Sequence, residues 1–306
     1  MTTPTLERYT RDQFLVPEAQ IRILQQQVHR AGVHWHEFYE LVYVVDGTAS
    51  HVVNGARHRL APGSAFILTP ADFHEIVTTP GEVLVCYNVI IDPAALDGEL
   101  EGLVPPADAE SVWMVDDFTE ARADFERLWD ESQSERPGTA VVMYALLQCV
   151  LIALARRCSA NRSGYDDALP KETDAGIRRA ILYVDQHFRE PLTLAGVAAQ
   201  AHLSPNYFSE RFHETTGVSF QTYLQRRRLR FARSLLAATN LGVTEVCHAA
   251  GFNSLSHFGR SYRRRYGHSP SVGRTQRAGV QDGSGGWAAD TTPWRLGGRD
   301  EALVAG

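Results

Sequence analysis

The sequence predicts an α+β multidomain chain with an N-terminal β-barrel, a helical segment in the middle and an all-α C-terminal domain. Three observations support this division. Short runs of β-branched and aromatic residues lie between Val33 and Ile91, two helical patterns lie between Thr119 and Arg157, and an Arg-rich helical region follows at 171–275. A chain of 306 residues is long enough for two domains of ordinary size.

The first region is predicted to be a barrel or sandwich of short strands. Its strand-like runs, such as Val83 to Ile91, are separated by turn signals that include Asn54-Gly55 and Pro62-Gly63. Several short strands at nearly regular spacing are typical of an all-β barrel. We therefore assign the barrel to residues 1–105.

The middle segment, residues 106–165, is predicted to contain two helices. Between Thr119 and Glu135 apolar residues recur at helical spacing, and Pro137-Gly138 ends the pattern. The run from Thr139 to Arg157 is apolar nearly all round, as in a helix that is buried on several sides. These helices can pair with a second copy of the chain, which we favour, or form a hairpin within one chain.

Composition and charge narrow the classes of function. The longest nearly apolar run, Val141 to Ala155, is shorter than the roughly 20 residues of a spanning helix, and the N-terminus lacks an apolar signal segment. Together with four scattered cysteines, these features predict a cytoplasmic protein without membrane contact. Residues 1–170 carry a net charge of −13 and residues 171–280 a net charge of +9. A basic module of this kind commonly binds polyanions.

The C-terminal domain, residues 171–275, contains two similar halves with the packing plan of a helix-turn-helix. Thr193 can cap a short helix, and Ser204-Pro205 can start a second helix that Phe208 and Phe212 anchor. Ser254 occupies the position equivalent to Ser204, and a long helix from Phe220 to Ala238 joins the halves. Two readers on a rigid spacer suit insertion into successive major-groove faces of one duplex. The remaining residues, 276–306, are predicted to be a disordered tail.

Residues 192–274 resemble the DNA-binding domain of the AraC/XylS family of transcription regulators. The resemblance is carried by Ala198, Leu203-Ser-Pro, Tyr207-Phe208, Arg211-Phe212, Thr216-Gly217, Phe220, Tyr223-Leu224, Arg228-Leu229, Ala232, Leu235-Leu236, Gly251-Phe252, Phe258, Arg260, Tyr266-Gly267 and Ser269-Pro270. It implies a homodimer that binds double-stranded DNA and recruits RNA polymerase. Gly259 departs from good helix-forming sequence and weakens its helix by roughly 1 kcal/mol relative to Ala.

The side chains that read DNA are predicted from the helix faces. Residues opposite the buried aromatic rows point away from the domain and can reach base edges. They are Asn206, Ser209, Glu210, His213, Leu255, Ser256, Arg260 and Arg263. Arg260 is the best candidate for a bidentate guanine contact. We assign Arg227, Arg230, Arg264 and Arg265 to phosphates or helix ends.

The barrel sequence resembles a cupin, with a His-x-His-x(3)-Glu pattern followed by glycines and a later histidine. Period-2 alternation predicts that His34, His36 and Glu40 lie on one strand face at the barrel mouth. The resembling regulators hold a small effector in this barrel. We predict an effector pocket formed by His34, His36, Glu40, Tyr43, His74 and Asn88.

Two other interpretations of the barrel stay open beside the metal-free effector pocket that we expect. Three imidazoles and a carboxylate, from His34, His36, Glu40 and His74, could bind Fe, Mn, Ni or Zn in a cupin enzyme such as an isomerase or dioxygenase. The second interpretation is that the chain is a constitutive DNA-binding architectural protein with a vestigial barrel. The whole-chain layout is most similar to the rhamnose-responsive regulators, which implies an activator of carbohydrate-related genes without catalytic residues, cofactor or enzyme activity, and with a sugar or sugar-derived effector.

Overall fold

The computed structural model describes residues 7–16, 19–70, 72–96, 103–105, 112–134, 136–160, 175–239 and 241–272. The predicted polar linker at 161–170 and the predicted disordered tail at 276–306 lie outside these residues. The strands are β1 (Glu7–Tyr9), β2 (Ile21–Val28), β3 (Arg30–His36), β4 (Tyr39–Asp46), β5 (Ala49–Val53), β6 (Ala56–Leu60), β7 (Ala65–Leu68), β8 (His74–Thr78), β9 (Leu84–Ile91) and β10 (Trp113–Val115). A short helix, α1 (Arg11–Phe14), lies between β1 and β2.

Two five-stranded sheets form the barrel and confirm the predicted fold class. One sheet has the strand order β1-β3-β8-β5-β6, and the other has the order β10-β7-β4-β9-β2. Alternate residues of both sheets point inward and bury side chains such as Val42, Phe66 and Ile76 between them. Asn54 and Gly55 turn β5 into β6 with positive φ angles of 51° and 86°, as a tight hairpin requires.

The barrel extends beyond the predicted boundary at residue 105. Strand β10 pairs antiparallel with β7, with Trp113 opposite Ile67 and Val115 opposite Ala65, and both Trp113 and Val115 are buried. The prediction missed this strand because three residues are too few to show a period-2 pattern.

Helices α2 (Arg122–Ser132) and α3 (Thr139–Ala160) pack on the outer face of the second sheet. Thr139–Ser159 is long and apolar enough to cross a membrane by length and composition, which corrects the expectation that the apolar run is too short. However, Leu147, Leu151 and Leu154 of this helix are fully buried against the barrel domain. One face of this helix therefore belongs to the core of the barrel domain.

The C-terminal domain is built from helices alone in its described part. They are α4 (Ala175–His187), α5 (Leu194–Gln200), α6 (Pro205–Thr216), α7 (Phe220–Ala238), α8 (Val243–Ala249) and α9 (Leu255–Tyr266). Buried aromatic and aliphatic residues from all six helices form one core. The long helix α7 runs between the two helical pairs α5–α6 and α8–α9.

Candidate functional site

Five of the six predicted pocket residues converge inside the barrel. His34 and His36 lie on β3, Glu40 on β4, His74 on β8 and Asn88 on β9. His36 is fully buried, and the other four residues are 1–6% exposed. The expectation that His34, His36 and Glu40 share one strand face is wrong. Strand β3 ends at His36, and Glu40 lies on the next strand in the opposite sheet.

Hydrogen bonds fix the orientation of these polar side chains. Nδ1 of His36 lies 2.7 Å from the carbonyl oxygen of Phe38. Nδ1 of His34 lies 2.8 Å from the carbonyl oxygen of Gly32. Because a carbonyl only accepts, both Nδ1 atoms carry the proton. Asn88 donates from Nδ2 to Oε1 of Glu40 over 2.6 Å.

Tyr43 is not a pocket residue, which corrects the prediction. Its ring stacks on Phe125 of α2 with centroids 4.9 Å apart. Side chains alternate along β4, so Glu40 and Val42 point into the barrel while Tyr43 points to the helices outside. Burial raises the pKa of the Tyr43 hydroxyl. Tyr43 therefore joins α2 to the barrel and does not contact an effector.

One histidine of this cluster, His51, was not among the predicted pocket residues. His51 on β5 is fully buried, and its Nε2 lies 3.2 Å from Nδ1 of His74. The signal was present in the strand-like run that starts at His51, since a histidine among β-branched residues is unusual on an inward face. His51 also packs its ring against Phe66, 4.3 Å away.

Burial controls the charge of the cluster. It lowers the pKa of His51 to about 3 and lowers the pKa of His74 well below its usual value. Burial alone would raise the pKa of Glu40, but the hydrogen bond and charge of His36 outweigh it and lower that pKa. The interior therefore presents the Glu40 carboxylate together with the neutral imidazoles of His51 and His74. Such a set can bind hydroxyl donors or a cation.

The N-terminal segment covers this cluster. Strand β1 pairs in parallel with β3. The Tyr9 ring lies 4.6 Å from the ring of His34, and Phe14 of α1 lies 5.4 Å from Phe38. The described N-terminal residues therefore help to bury the cluster.

The outward side chains beside the pocket residues contact the C-terminal domain. Trp35 lies between His34 and His36 in the chain, and its ring meets Phe231 of α7 edge to face at 5.9 Å. Phe73, which precedes His74, lies 4.6 Å from the same Phe231 ring. The strands that carry the buried polar cluster therefore also form the contact between the two domains.

The interface between the barrel and helix α7 also contains a polar contact and a close backbone approach. Asp72 accepts a hydrogen bond from Arg230 of α7 over 2.9 Å and another from Asn54 over 2.7 Å. The turn at Gly55 packs so closely on α7 that an added Cβ would lie 2.6 Å from Cβ of Ala237. Only glycine fits that position without a shift of the helix.

Each half of the C-terminal domain has the geometry of a helix-turn-helix. The caps follow the prediction: Thr193 accepts from the amide of Gly196, Ser204 from that of Tyr207, and Ser254 from that of His257. Both α6 and α9 end at a left-handed glycine, Gly217 and Gly267. The two second helices thus begin and end in the same way.

The predicted DNA-reading residues are all exposed on α6 and α9. The first set is Asn206, Ser209, Glu210 and His213, and the second is Leu255, Ser256, Arg260 and Arg263. Phe208, Phe212, Phe258 and Tyr262 are buried on the opposite faces. The barrel leaves both exposed faces uncovered. Their contacts with bases stay a prediction.

Two arginines assigned to phosphates have other partners, which corrects the prediction. Arg227 is fully buried, and its Nε lies 2.7 Å from Oδ1 of Asp185. Arg230 contacts Asp72 of the barrel. Spacing along α7 gave no sign of either partner, because both acidic residues are distant in the chain.

Comparisons with known proteins agree with this geometry. A family model described as an AraC-like ligand binding domain matches residues 15–151, and one described as a helix-turn-helix domain matches residues 197–276. The HTH-type transcriptional activator RhaS of Escherichia fergusonii is 28% identical over 245 residues, covering 78% of this chain and 85% of that protein. RhaS of Salmonella arizonae is 29% identical over 244 residues with the same coverage. Among solved structures, the C-terminal domain of AraT, a response regulator from Geobacillus stearothermophilus, is 30% identical and covers 35% of this chain and 89% of that chain, with a TM-score of 0.34.

The paired helix-turn-helix units and the ligand-binding barrel define a DNA-binding transcription regulator. The chain belongs to the AraC family. The predicted family, fold class and DNA-binding function are confirmed. Both reported relatives are named as transcriptional activators, and neither is named as an enzyme.

Proposed function

We propose that this protein is an effector-responsive transcriptional activator in which a ligand in the barrel changes how the DNA-binding domain is held. One observation carries this proposal: pocket and interface residues alternate along the same strands. His34 and His36 flank Trp35, and Phe73 precedes His74. A ligand that displaces an imidazole on one face of the strand shifts the aromatic ring on the other face. Since a ligand shifts an equilibrium only through different affinities for two states, this mechanical link supplies the difference.

A sugar or sugar-derived effector and activation of carbohydrate-related genes follow from the named relatives, which are RhaS activators. The polar interior supports the chemistry. Glu40 and Asn88 offer acceptors and donors to hydroxyl groups. In this mechanism the DNA-reading helices α6 and α9 bind DNA in the active state, and the protein recruits RNA polymerase.

Titration calorimetry with a sugar panel tests the effector. We expect the full chain to bind one sugar, and His74→Gln or Asn88→Ala to weaken binding. Footprinting with and without that sugar should show a change in DNA protection. Trp35→Ala should retain sugar binding but lose the sugar-dependent change in DNA protection, because it removes the ring that packs against Phe231. Binding of an unrelated aromatic acid and of no sugar would defeat the sugar class.

We propose that a second copy of the chain pairs through α3. Only 39% of the apolar part of this helix is buried within the chain, and Val141 and Val142 are 73% and 41% exposed. A dimer supplies the two sets of readers that two half-sites need. Val142→Glu should convert a dimer to a monomer in sedimentation equilibrium. Gln133→Glu adds the same charge at an exposed position at the end of α2 and should leave the dimer intact.

The protein acts in the cytoplasm and is not an enzyme in this proposal. A DNA-binding regulator must reach the chromosome, and the regulators it resembles act by binding rather than by catalysis. Recovery of the protein in the soluble fraction and absence of sugar turnover during the titration would agree with it. Conversion of the bound sugar would favour the enzyme interpretation instead.

A further inference from the structure

Helices α6 and α9 occupy equivalent places in the two halves of the DNA-binding domain. Each has 12 residues, follows a capping serine and ends at a left-handed glycine. The capping serines, Ser204 and Ser254, lie 50 residues apart in the chain. The fifth residue is therefore Ser209 in α6 and Gly259 in α9. Ser209 is exposed and is one of the predicted DNA-reading residues, so Gly259 holds the position that corresponds to a reader.

Gly259 is a gap in a row of exposed side chains. Residues four apart on a helix lie one above another on the same face. Two such rows lie on the outward face of α9: Leu255, Gly259 and Arg263 in one, and Ser256, Arg260 and Arg264 in the other. Every member other than Gly259 has an exposed side chain. This face of α9 therefore has one position without a side chain, between Leu255 and Arg263.

Packing within the protein does not require a glycine at this position. A Cβ added at Gly259 would meet nothing within 4 Å among the described residues, and the backbone there is helical. Glycine is the least favourable residue inside a helix after proline, because it loses the most conformational freedom. The folded chain alone would accept alanine in place of Gly259. The space above Gly259 is therefore free for a partner.

This space opens into a basic groove. The groove has a volume of about 460 Å³ and is lined by Gly259, Arg260, Arg263, Arg264, Ser269 and Pro270. Its described lining holds three arginines and no carboxylate, so it attracts a polyanion such as DNA. Arg264 also donates to Oε1 of Gln225 over 3.1 Å, which holds this arginine against α7. Gly259 is thus the point at which the backbone of α9 can come closest to a bound duplex.

The chemistry of the gap favours a methyl group over a phosphate. Gly259 is the fifth residue of α9, so its N–H donates to the carbonyl of Leu255 within the helix. The gap therefore presents only Cα hydrogens. The apolar side chain of Leu255, which is 46% exposed, stands one turn before it. Phosphates are better served by the arginines along the groove.

We propose that Gly259 determines base specificity by leaving room for one thymine methyl group. The missing Cβ leaves a gap of the size of a methyl group, and thymine presents its C5-methyl group in the major groove. Leu255 supplies an apolar wall for this methyl group, beside the predicted guanine contact of Arg260. The proposal rests on the predicted contact between α9 and bases. It needs neither the effector nor the dimer of the proposed function.

Binding to DNA that lacks single methyl groups tests the proposal. The full-length protein is used to select its preferred duplex from a random library. Each thymine of that duplex is then replaced in turn by deoxyuridine, which pairs in the same way and lacks the methyl group. Dissociation constants are measured by fluorescence anisotropy at one fixed salt concentration. We expect at least one replacement to weaken wild-type binding about fourfold, as loss of one buried methyl group predicts.

The variant Gly259→Ala fills the gap with a methyl group of the protein. It should bind the selected duplex about tenfold more weakly than the wild type does. At one of the sensitive thymines it should bind the deoxyuridine duplex at least as tightly as the thymine duplex. Gly32→Ala is the control, because it adds the same group at an exposed position of β3 where it also meets nothing within 4 Å among the described residues. This control should bind both duplexes as the wild type does.

Thermal melting separates this result from a folding defect. Gly259→Ala should melt a few degrees above the wild type, because alanine favours the helix. Weaker DNA binding by this variant would then not come from loss of the fold. Absence of any selected duplex, equal affinity of wild type and Gly259→Ala for it, or equal effects of every deoxyuridine replacement on the two proteins overturns the proposal. None of these outcomes bears on the response to a sugar, which is measured separately.

Discussion

Arg230 lies 2.9 Å from Asp72 through Nη2 and Oδ1, and this ion pair joins helix α7 to the segment that leads into His74. Asp72 is 1% exposed, and Asn54 and Thr69 donate its other hydrogen bonds. Burial alone would raise the pKa of Asp72, but the Arg230 charge and these hydrogen bonds outweigh it and lower that pKa. The carboxylate is therefore charged throughout the neutral pH range.

Substitution of one partner of this ion pair should lower the free energy of unfolding more than substitution of both partners. Arg230→Gln leaves a buried carboxylate without its cation and should lower the free energy of unfolding by about 3 kcal/mol. The double variant Asp72→Asn/Arg230→Gln should recover part of that loss. Urea unfolding of the wild type, Arg230→Gln, Asp72→Asn and the double variant should give a coupling energy of about 1 kcal/mol or more. Arg226→Gln, an exposed arginine of α7, is the control and should change stability by less than about 0.5 kcal/mol. Additive losses would show that the two groups do not interact.

Arg260→Ala should weaken specific DNA binding by about 1–3 kcal/mol and relax the preference at one base pair. The side chain is exposed on α9, opposite the buried Phe258 and Tyr262. Selection from a random DNA library followed by sequencing measures both effects. Arg156→Ala removes an exposed arginine of α3 and should leave the selected sequence unchanged. An unaltered preference for Arg260→Ala would remove this residue from the readers.

Alkaline pH should destabilise the protein through Tyr262. Burial raises the pKa of this hydroxyl to about 12, whereas an unfolded tyrosine ionises near pH 10. The contribution is fully present below pH 10 and is lost as pH rises towards 12. At pH 11 the loss is about 1.4 kcal/mol.

Tyr262→Phe keeps the ring and removes the ionisation. The difference in unfolding free energy between wild type and this variant should therefore change by about that amount from pH 8 to pH 11. Denaturant curves at the two pH values measure it. A difference that does not vary with pH would mean that the hydroxyl ionises alike in the folded and unfolded chains.

Two glycines at different positions in their helices should respond to an alanine substitution in opposite directions. Gly259 lies inside α9, and an added Cβ meets nothing within 4 Å, so Gly259→Ala should raise stability by about 1 kcal/mol. Gly217 ends α6 with a φ of +71°, so Gly217→Ala should lower stability by about 1 kcal/mol through backbone strain. Thermal melting gives both signs. A loss of stability in Gly259→Ala would indicate a packing role that the open space around it does not suggest.

Local sequence patterns correctly predicted the structural features that depend on residues close together in the chain. The caps at Ser204 and Ser254, the buried row of Phe208 and Phe212, and the hairpin at Asn54 all follow from such patterns. The error at Tyr43 was avoidable, since an inward Glu40 places residue 43 outward by simple alternation.

Contacts between distant segments could not be predicted in this way. The partner of Arg227 is Asp185, in another helix, and the partner of Arg230 is in the barrel. A charged side chain on a basic helix looks the same in sequence whether it meets a phosphate or a buried carboxylate. The choice depends on tertiary packing, which a single sequence does not reveal.

The strands that carry the buried polar cluster fall into two groups, and the difference matters if this regulator is re-engineered as a biosensor. Glu40 and Asn88 lie on β4 and β9, whose outer faces pack on α2 and α3. His34 and His74 lie on strands whose neighbouring residues touch α7. Recognition of a new compound should therefore be engineered at Asn88 first, because changes beside Phe73 alter signal transmission together with selectivity.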